Sequence, residues 1–385
     1  MDGSRRNYAI VAGLVVLLAI GVAVLPSALW ACGLAALLGL AGVVLLRGNR
    51  WRTGALLAAA LAVSLALLDA VAGFLSPAPM GRGLVQSTDP KWWPPPDPVM
   101  GFRPLPNTEV IATATFGPET IYRRTYHFDG SAARVTPAGP AGSDTYLFLG
   151  DSFIFGQGLV DDQSLAAQFA RANDYKVRTV NLGVPGYGPN HFVRAVEAGL
   201  LDRYADQSVK AVVSWIIPAH LARVTGDGSW LGSSPRYVVE NGVPRHTGSF
   251  NEYRWTHPLA GLKHLLGEQF LFVDAIGMRQ RQEAQADLFV ALMARLQKLV
   301  REKFGAPLIV IYSWPDETSG SSYGDSKLLV VVLNRLRDLG IPLLSVDSLT
   351  RKMDVSLLLI PHDGHPTAYT YELIANELKR RLIAP

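Results

Sequence analysis

The sequence predicts an α/β protein in which three membrane-spanning helices precede a domain built on a parallel, five-stranded sheet. Two patterns carry this reading. Roughly the first 75 of the 385 residues are almost purely apolar and fall into three runs of membrane-crossing length. From about residue 143, short continuous apolar runs alternate with helical periodicity, as expected of strands covered by helices on both faces.

The apolar runs are Tyr8–Leu25, Ala28–Leu46 and Gly54–Leu75, each roughly 18 to 22 residues against a hydrocarbon core of about 30 Å. Pro26 and Ser27 separate the first two, and Arg47-Gly-Asn-Arg-Trp-Arg52 separates the last two. A cleaved signal peptide is the alternative for the first run alone, because Ser-Ala-Leu-Trp-Ala passes for a cleavage site. Two further runs of the same character favour three retained helices. Arg5 and Arg6 precede the first run, Arg47, Arg50 and Arg52 follow the second, and the turn between the first two runs is uncharged. Both clusters are cytoplasmic only if the chain from residue 76 onward emerges outside. The expectation is therefore an integral protein of the inner (cytoplasmic) membrane, with its N-terminus cytoplasmic and its main domain periplasmic or otherwise extracytoplasmic. Asp69 lies in the third run with no cation in the other runs to pair it, and no role is assigned to it.

Residues 76–106 are dense in proline, which resists helix and favours an extended, semi-rigid path. Trp92 and Trp93 within it suit either the headgroup layer or packing on the following domain. Residues 107–142 mix β-branched residues and glycine, suggesting a few flanking strands. Strands are then expected at Tyr146–Leu149, Lys176–Leu182, Val209–Ile217, Pro307–Tyr312 and Pro342–Val346. Helices are expected at Gln163–Ala172, Asn190–Tyr204, Leu288–Phe304, Lys327–Leu339 and Thr367–Leu382. The expected division is a membrane anchor over 1–76, a proline-rich stalk with flanking strands over 77–142, and the α/β domain over 143–385. An insertion at about 220–286, rich in glycine, serine and aromatics, reads as a lid or binding cap.

In an open α/β sheet the site lies beyond the carboxyl ends of the strands. Gly150-Asp151-Ser152 occupies such a position, between the first strand and a helix. A serine there sits beside unpaired N–H groups that stabilise an oxyanion; an N-capping role for Asp151 or Ser152 is the plainer alternative. A serine hydroxyl needs an oriented base. Pro361-His-Asp-Gly-His-Pro366, after the last strand, supplies His365 as base and Asp363 as its orienter.

Gly150-Asp-Ser152, Asn181-Leu-Gly-Val-Pro-Gly186-Tyr-Gly and Asp363-Gly-His365-Pro resemble three signature blocks of the SGNH/GDSL hydrolase superfamily, in the family's order and over about residues 143–385. The resemblance implies a flavodoxin-like three-layer α/β/α sandwich, Ser152 as nucleophile, the N–H groups of Ser152 and Gly186 as oxyanion donors, His365 as base and Asp363 as orienter. Two departures stand out. Ala219 falls where the family's third block carries an oxyanion-binding Asn, a donor worth about 2.7–4 kcal/mol; Asn190, His220 or a residue of the insertion is left to replace it. The Asp-x-His spacing is one residue shorter than the family's usual one, and resembles that of envelope polysaccharide O-acetyltransferase relatives.

The resulting expectation is a serine esterase or acylhydrolase acting through an acyl-serine intermediate on acylated glycans or lipids. The alternatives are an O-acetyltransferase that works with envelope polysaccharide machinery, and an inactive glycan-binding or scaffold module. No cofactor is expected, because Walker and dinucleotide-binding spacings are absent. His362-x-x-His365 lacks the further ligands of a metal site. The net charge of +4 gathers into no basic run, so nucleic acid is not an expected partner. Cys32, the single cysteine, sits in an apolar run and forms no disulfide within the chain.

Overall fold

The computed structural model describes residues 3–24, 28–75, 83–91, 93–137, 139–140, 142–269, 278–313 and 326–383. Contacts divide the chain into two units, one of residues 1–77 and 257–280, the other of residues 78–256 and 281–385.

The first unit holds helices Gly3–Val24, Ala28–Leu45, Asn49–Leu75 and Pro258–Gln269. Small residues let its second and third helices approach closely: a Cβ on Gly39 would lie 2.8 Å from that of Ala59. The Asn7 amide closes the other contact, donating to the Arg47 carbonyl (2.7 Å) and accepting from the Arg47 N–H (3.1 Å). Of the three expected spans, one meets the length and composition of a membrane crossing among the described residues: Asn49–Ala72, with mean hydropathy 2.3. Ala31–Leu45 is a shorter apolar helix, and residues 25–27 lie outside the described residues.

In the second unit the proline-rich segment does not stand alone. Strands β1 (Leu84–Asp89), β4 (Glu109–Phe116) and β5 (Glu119–His127) form an antiparallel sheet in the order β1-β4-β5, and β2 (Pro96–Asp97) pairs with β3 (Gly101–Phe102). Trp93 packs against Tyr126, Phe128 and Phe155, with ring centroids 5.5–6.3 Å apart, so of the two environments open to it this residue takes the domain. Trp92 lies outside the described residues.

The apolar runs after residue 143 form the parallel sheet. Its strands are β6 (Thr145–Gly150), β7 (Arg178–Gly183), β8 (Val209–Ile216), β11 (Leu308–Tyr312) and β12 (Leu343–Ser345), in the order β12-β11-β8-β6-β7. The direction of winding reverses between β6 and β8, and the crevice beyond the carboxyl ends of those two strands is where such sheets bind ligands. Alternate residues feed two cores. Leu147, Leu149, Val212 and Val310 pack under helices Pro189–Glu197, Met278–Phe304 and Ser326–Asp338. Tyr146, Phe148, Val213 and Ile311 pack under helices Leu165–Ala172 and Ala368–Leu382, in a core that also takes Val110, Tyr122 and Tyr126 from the antiparallel sheet.

Two helix boundaries of this unit differ from expectation by more than two residues. The helix expected to reach Tyr204 ends at Glu197, because Gly199 turns left-handed (φ 74°) and a separate 3-10 turn follows at Asp202–Tyr204. The helix expected from Leu288 starts at Met278, its first turns being polar and so invisible to an apolar period. The inserted region contains a short helix, Ala219–Arg223, a hairpin of β9 (Pro235–Glu240) with β10 (Val243–Ser249), and helix Phe250–Thr256.

Arg134 is the largest charged group in the interior of this unit, at 1% exposure. Its Nη1 donates to the carbonyls of Phe155 (2.7 Å) and Gly156 (2.8 Å), its Nη2 to that of Leu159 (2.6 Å), and its Nε to Asp161 (2.7 Å). The guanidinium also lies 4.5 Å from the ring centroids of both Tyr126 and Phe155. Removing it would take a charged donor from three buried carbonyls and from the Asp161 carboxylate. Arg134→Met should therefore destabilise the protein by about 3–5 kcal/mol, measured by urea unfolding; a loss below about 1 kcal/mol, the scale of a surface ion pair, would contradict this reading.

Candidate active site

Ser152 opens the one-turn helix Ser152–Phe155 directly after β6 and is buried. Asp151 caps that helix, its Oδ1 accepting the Phe153 N–H at 2.9 Å. The plainer role expected of this turn thus holds for Asp151, and it leaves the Ser152 hydroxyl free for other work. The end of β7 presses on the same turn: a Cβ on Gly183 would lie 2.3 Å from the Phe155 nitrogen. Asn181, at the head of the second block, braces the contact by donating to the Phe155 carbonyl (3.2 Å) and accepting the Gly183 N–H (3.0 Å).

The loop before the last helix brings in the other two residues. Pro361–Pro366 closes on itself through the Ile360 N–H, which donates to the His365 carbonyl at 2.8 Å. Thr367 then caps helix Ala368–Leu382. His365 Nε2 lies 2.8 Å from Ser152 Oγ, and His365 Nδ1 is hydrogen-bonded to Asp363 Oδ1. A carboxylate only accepts, so Nδ1 carries the proton and Nε2 is left to accept from the serine hydroxyl. Burial alone would raise the Asp363 carboxyl; the His365 imidazole and its hydrogen bonds outweigh burial and hold it below the ordinary range.

Gly186, the second expected oxyanion donor, lines the same cleft as Ser152 and His365. Its backbone is left-handed (φ 89°), and a side chain there would meet the Trp230 indole nitrogen at 3.1 Å, so glycine is required twice over. Neither the Ser152 nor the Gly186 N–H has a backbone acceptor among the described residues.

The two residues proposed to replace the missing third donor are engaged elsewhere. Asn190 is fully buried and donates to the Pro235 carbonyl at 2.8 Å. His220 is fully buried, with Nε2 2.9 Å from Asp151 Oδ2. Each is thus tied by one polar atom to a partner away from the cleft, and neither lines it. Arg223, which the sequence reading passed over, does. Its Nη1 donates to Asp151 Oδ2 (2.9 Å) and to the Tyr187 carbonyl (2.6 Å). Its only sequence signal was position, three residues after His220 in the turn beyond β8.

Asp151, His220 and Arg223 form one buried network behind the nucleophile. Burial by itself would raise the Asp151 carboxyl, but His220, Arg223 and the Phe153 N–H together bring it down to about 2 from the ordinary 3.8. Burial also pushes His220 down. The network is thus a neutral imidazole donating to a carboxylate whose charge Arg223 balances.

The cleft measures about 590 Å³, within the range of small-molecule sites. Its walls include the rings of Trp93, Phe102 and Trp230, the amides of Gln86 and Gln157, and the guanidinium of Arg223. Among the described residues, no group of three or more His, Cys, Asp or Glu is disposed to hold a metal ion.

No protein-family model matches the chain, and no curated protein does. Among solved structures it is similar to a member of the lipolytic protein G-D-S-L family from Veillonella parvula, at 10% identity over 63% of this chain and 98% of that chain, with a TM-score of 0.37. It is similar to a carbohydrate acetylesterase family member from Sinorhizobium meliloti, at 14% identity over 63% and 100% of the two chains, TM-score 0.36. A third is an SGNH-hydrolase family esterase, at 13% identity over 63% and 96%, TM-score 0.32. At these values the likeness itself carries no argument; the geometry of the site does.

Because Asp151 is held below its ordinary value, its contribution to folding is complete above about pH 4 and fades as the pH falls toward about 2. At neutral pH that contribution is roughly 2 kcal/mol. Asp151→Asn should lower the urea midpoint at pH 7, with the gap from the parent protein narrowing between about pH 4 and pH 2. A gap constant over that range would contradict the assignment.

Proposed function

We propose that the chain is a membrane-anchored, extracytoplasmic serine esterase of the SGNH type that cleaves acyl esters through an acyl-Ser152 intermediate. The observation that carries the reading is the continuous hydrogen-bonded line Ser152 Oγ, His365, Asp363 at the mouth of a cleft. His365 Nε2 takes the Ser152 proton as Oγ attacks the ester carbonyl, and Asp363 steadies the imidazolium that forms. The carbonyl oxygen, now an anion, is received by the N–H groups of Ser152 and Gly186. His365 returns the proton to the departing alcohol, leaving the acyl group on Ser152. An incoming hydroxyl then gives its proton to His365 and attacks the acyl carbonyl, and His365 passes that proton to Ser152 Oγ as it leaves. With water as the incoming group the reaction is hydrolysis. With a sugar hydroxyl it is O-acyl transfer, the second reading, which the short Asp-x-His spacing favours.

The cleft walls favour an acylated sugar over a long lipid chain. Aromatic faces from Trp93, Phe102 and Trp230 beside the neutral amides of Gln86 and Gln157 suit a ring bearing hydroxyl groups. The apolar Asn49–Ala72 helix supports membrane anchoring. Three spans, with the Arg47, Arg50 and Arg52 cluster cytoplasmic and the active site outside, remain the proposed topology. Envelope polysaccharide machinery is the proposed partner under the transfer reading.

Ser152→Ala should reduce turnover of aryl acetates by at least about a thousandfold and abolish labelling by a fluorophosphonate probe. Labelling that survives the substitution would sink the proposal. Trp230→Ala should raise KM for a sugar acetate several-fold while kcat stays close to that of the parent enzyme, as expected of a contact equal in ground and transition states. An unchanged KM would remove Trp230 from the substrate site.

A further inference from the structure

We infer that the antiparallel sheet β1-β4-β5 is part of the catalytic apparatus: Tyr122 and Gln86 are positioning residues that hold the Asp363 carboxylate, and Phe116 holds the turn that carries it. The inference rests on the serine-esterase reading for its catalytic meaning, but its geometric content stands separately.

Asp363 has to aim one carboxylate oxygen at an imidazole only two residues along the same turn. That turn is conformationally demanding. Gly364 is left-handed (φ 82°), and so is His362 (φ 62°), a residue with a side chain that disfavours such a backbone. A conformation of this kind persists only where its surroundings determine it. Phe116, at the end of β4, supplies one such constraint by stacking on the His362 ring, with centroids 3.9 Å apart and planes within 9° of parallel.

The carboxylate itself is held from the same sheet. Oδ1 is committed to His365. Oδ2 accepts from Gln86 Nε2 at 3.3 Å, and the Tyr122 hydroxyl is also hydrogen-bonded to the carboxyl group. Gln86 Nε2 lies 3.3 Å from the Tyr122 oxygen as well, tying the two donors together. The sheet register explains the convergence. Gln86 pairs with Ala114, and Ala114 pairs with Tyr122, so the three occupy one cross-strand row. Residues in one row point to the same face, and the small side chain of Ala114 lets the two longer ones meet above it. Tyr122 is buried, so its hydroxyl is held by partners within the fold. Burial and then the Asp363 charge keep it in the protonated, donating form.

A carboxylate pinned at both oxygens cannot rotate away from His365 when the imidazole is neutral. It is also a weaker acceptor than an unpinned one, because Tyr122 and Gln86 share its charge. Loss of the Tyr122 hydroxyl should therefore make Asp363 a stronger partner for the imidazolium and raise the pH at which His365 protonates.

The test uses the full chain in detergent or nanodiscs, with histidine-selective isotope labelling and His365→Gln to assign the resonance. In Tyr122→Phe, which keeps the ring, the His365 titration should move to higher pH. With an aryl acetate, kcat should fall about tenfold while KM changes little, as for loss of a hydrogen bond to a charged group, and the acid limb of the kcat/KM profile should shift the same way. Gln86→Leu removes the second donor and carries the same expectations should Tyr122→Phe fail to fold. An unchanged His365 titration in the folded variant overturns the inference, whatever the activity. A shifted titration in a protein that neither turns over esters nor takes a fluorophosphonate label would uphold the clamp and overturn the esterase reading.

Discussion

The site depends on one backbone turn staying where it is. Residues Gly150 to Gly156 leave β6 at the point where the sheet reverses its winding, and they must present a buried serine to a loop from the far end of the chain. Three side chains keep that turn in place. Arg134 gathers its carbonyls, Asn181 bonds the Phe155 carbonyl and the Gly183 N–H, and Asp151 caps the first N–H of its helix. Each is fully or almost fully buried. A buried guanidinium and a buried carboxylate are costly to desolvate, and they are tolerated here because every donor that is placed meets an acceptor. The result is a serine whose direction is set before any substrate arrives, the kind of preorganisation on which acyl transfer depends.

Charge is distributed around this turn in two separate pairs. Behind the serine, Asp151 is balanced by Arg223 and bonded to a neutral His220. Beside the serine, Asp363 is hydrogen-bonded to His365, whose charge the proposed mechanism calls for only as the reaction proceeds. The two carboxylates thus have different work. Asp151 holds the shape of the elbow, and in the proposed mechanism Asp363 responds to the proton that His365 takes up. Arg223 links the first pair to the cleft wall, which puts a fixed positive group behind the turn that carries Ser152.

Much of this was legible in the residues alone. The five strands follow from short apolar runs, and Ser152, Asp363 and His365 could be picked out because each falls in a loop beyond a strand end. What stayed hidden depends on long-range pairing. Gln86 meets Asp363 across 277 positions, and nothing local to Gln86 or Tyr122 marks them as its partners. Arg134 sits in a stretch that reads as an ordinary loop, and only the fold reveals three carbonyls converging on it. Asn190 and His220 were candidates to replace the oxyanion-binding Asn that the resemblance implies, yet both are buried with other partners. Gly199 was the visible sign that the helix after Gly188 would stop early, but helical periodicity outweighed it. The proline-rich segment was expected to run extended because proline resists helix; in the fold it also lays Leu84 and Trp93 against the core that holds the Ser152 turn.

In the proposed mechanism everything turns on Ser152 carrying the acyl group during turnover. An aryl acetate mixed with the purified enzyme, quenched in acid within the first turnover and digested, should yield an acetylated peptide spanning Gly150–Gly158, with the acetyl group on Ser152 and absent from the His365→Gln variant. Ester turnover proceeding with that peptide unmodified at every quench time, or with the acetyl group on another residue, would contradict it.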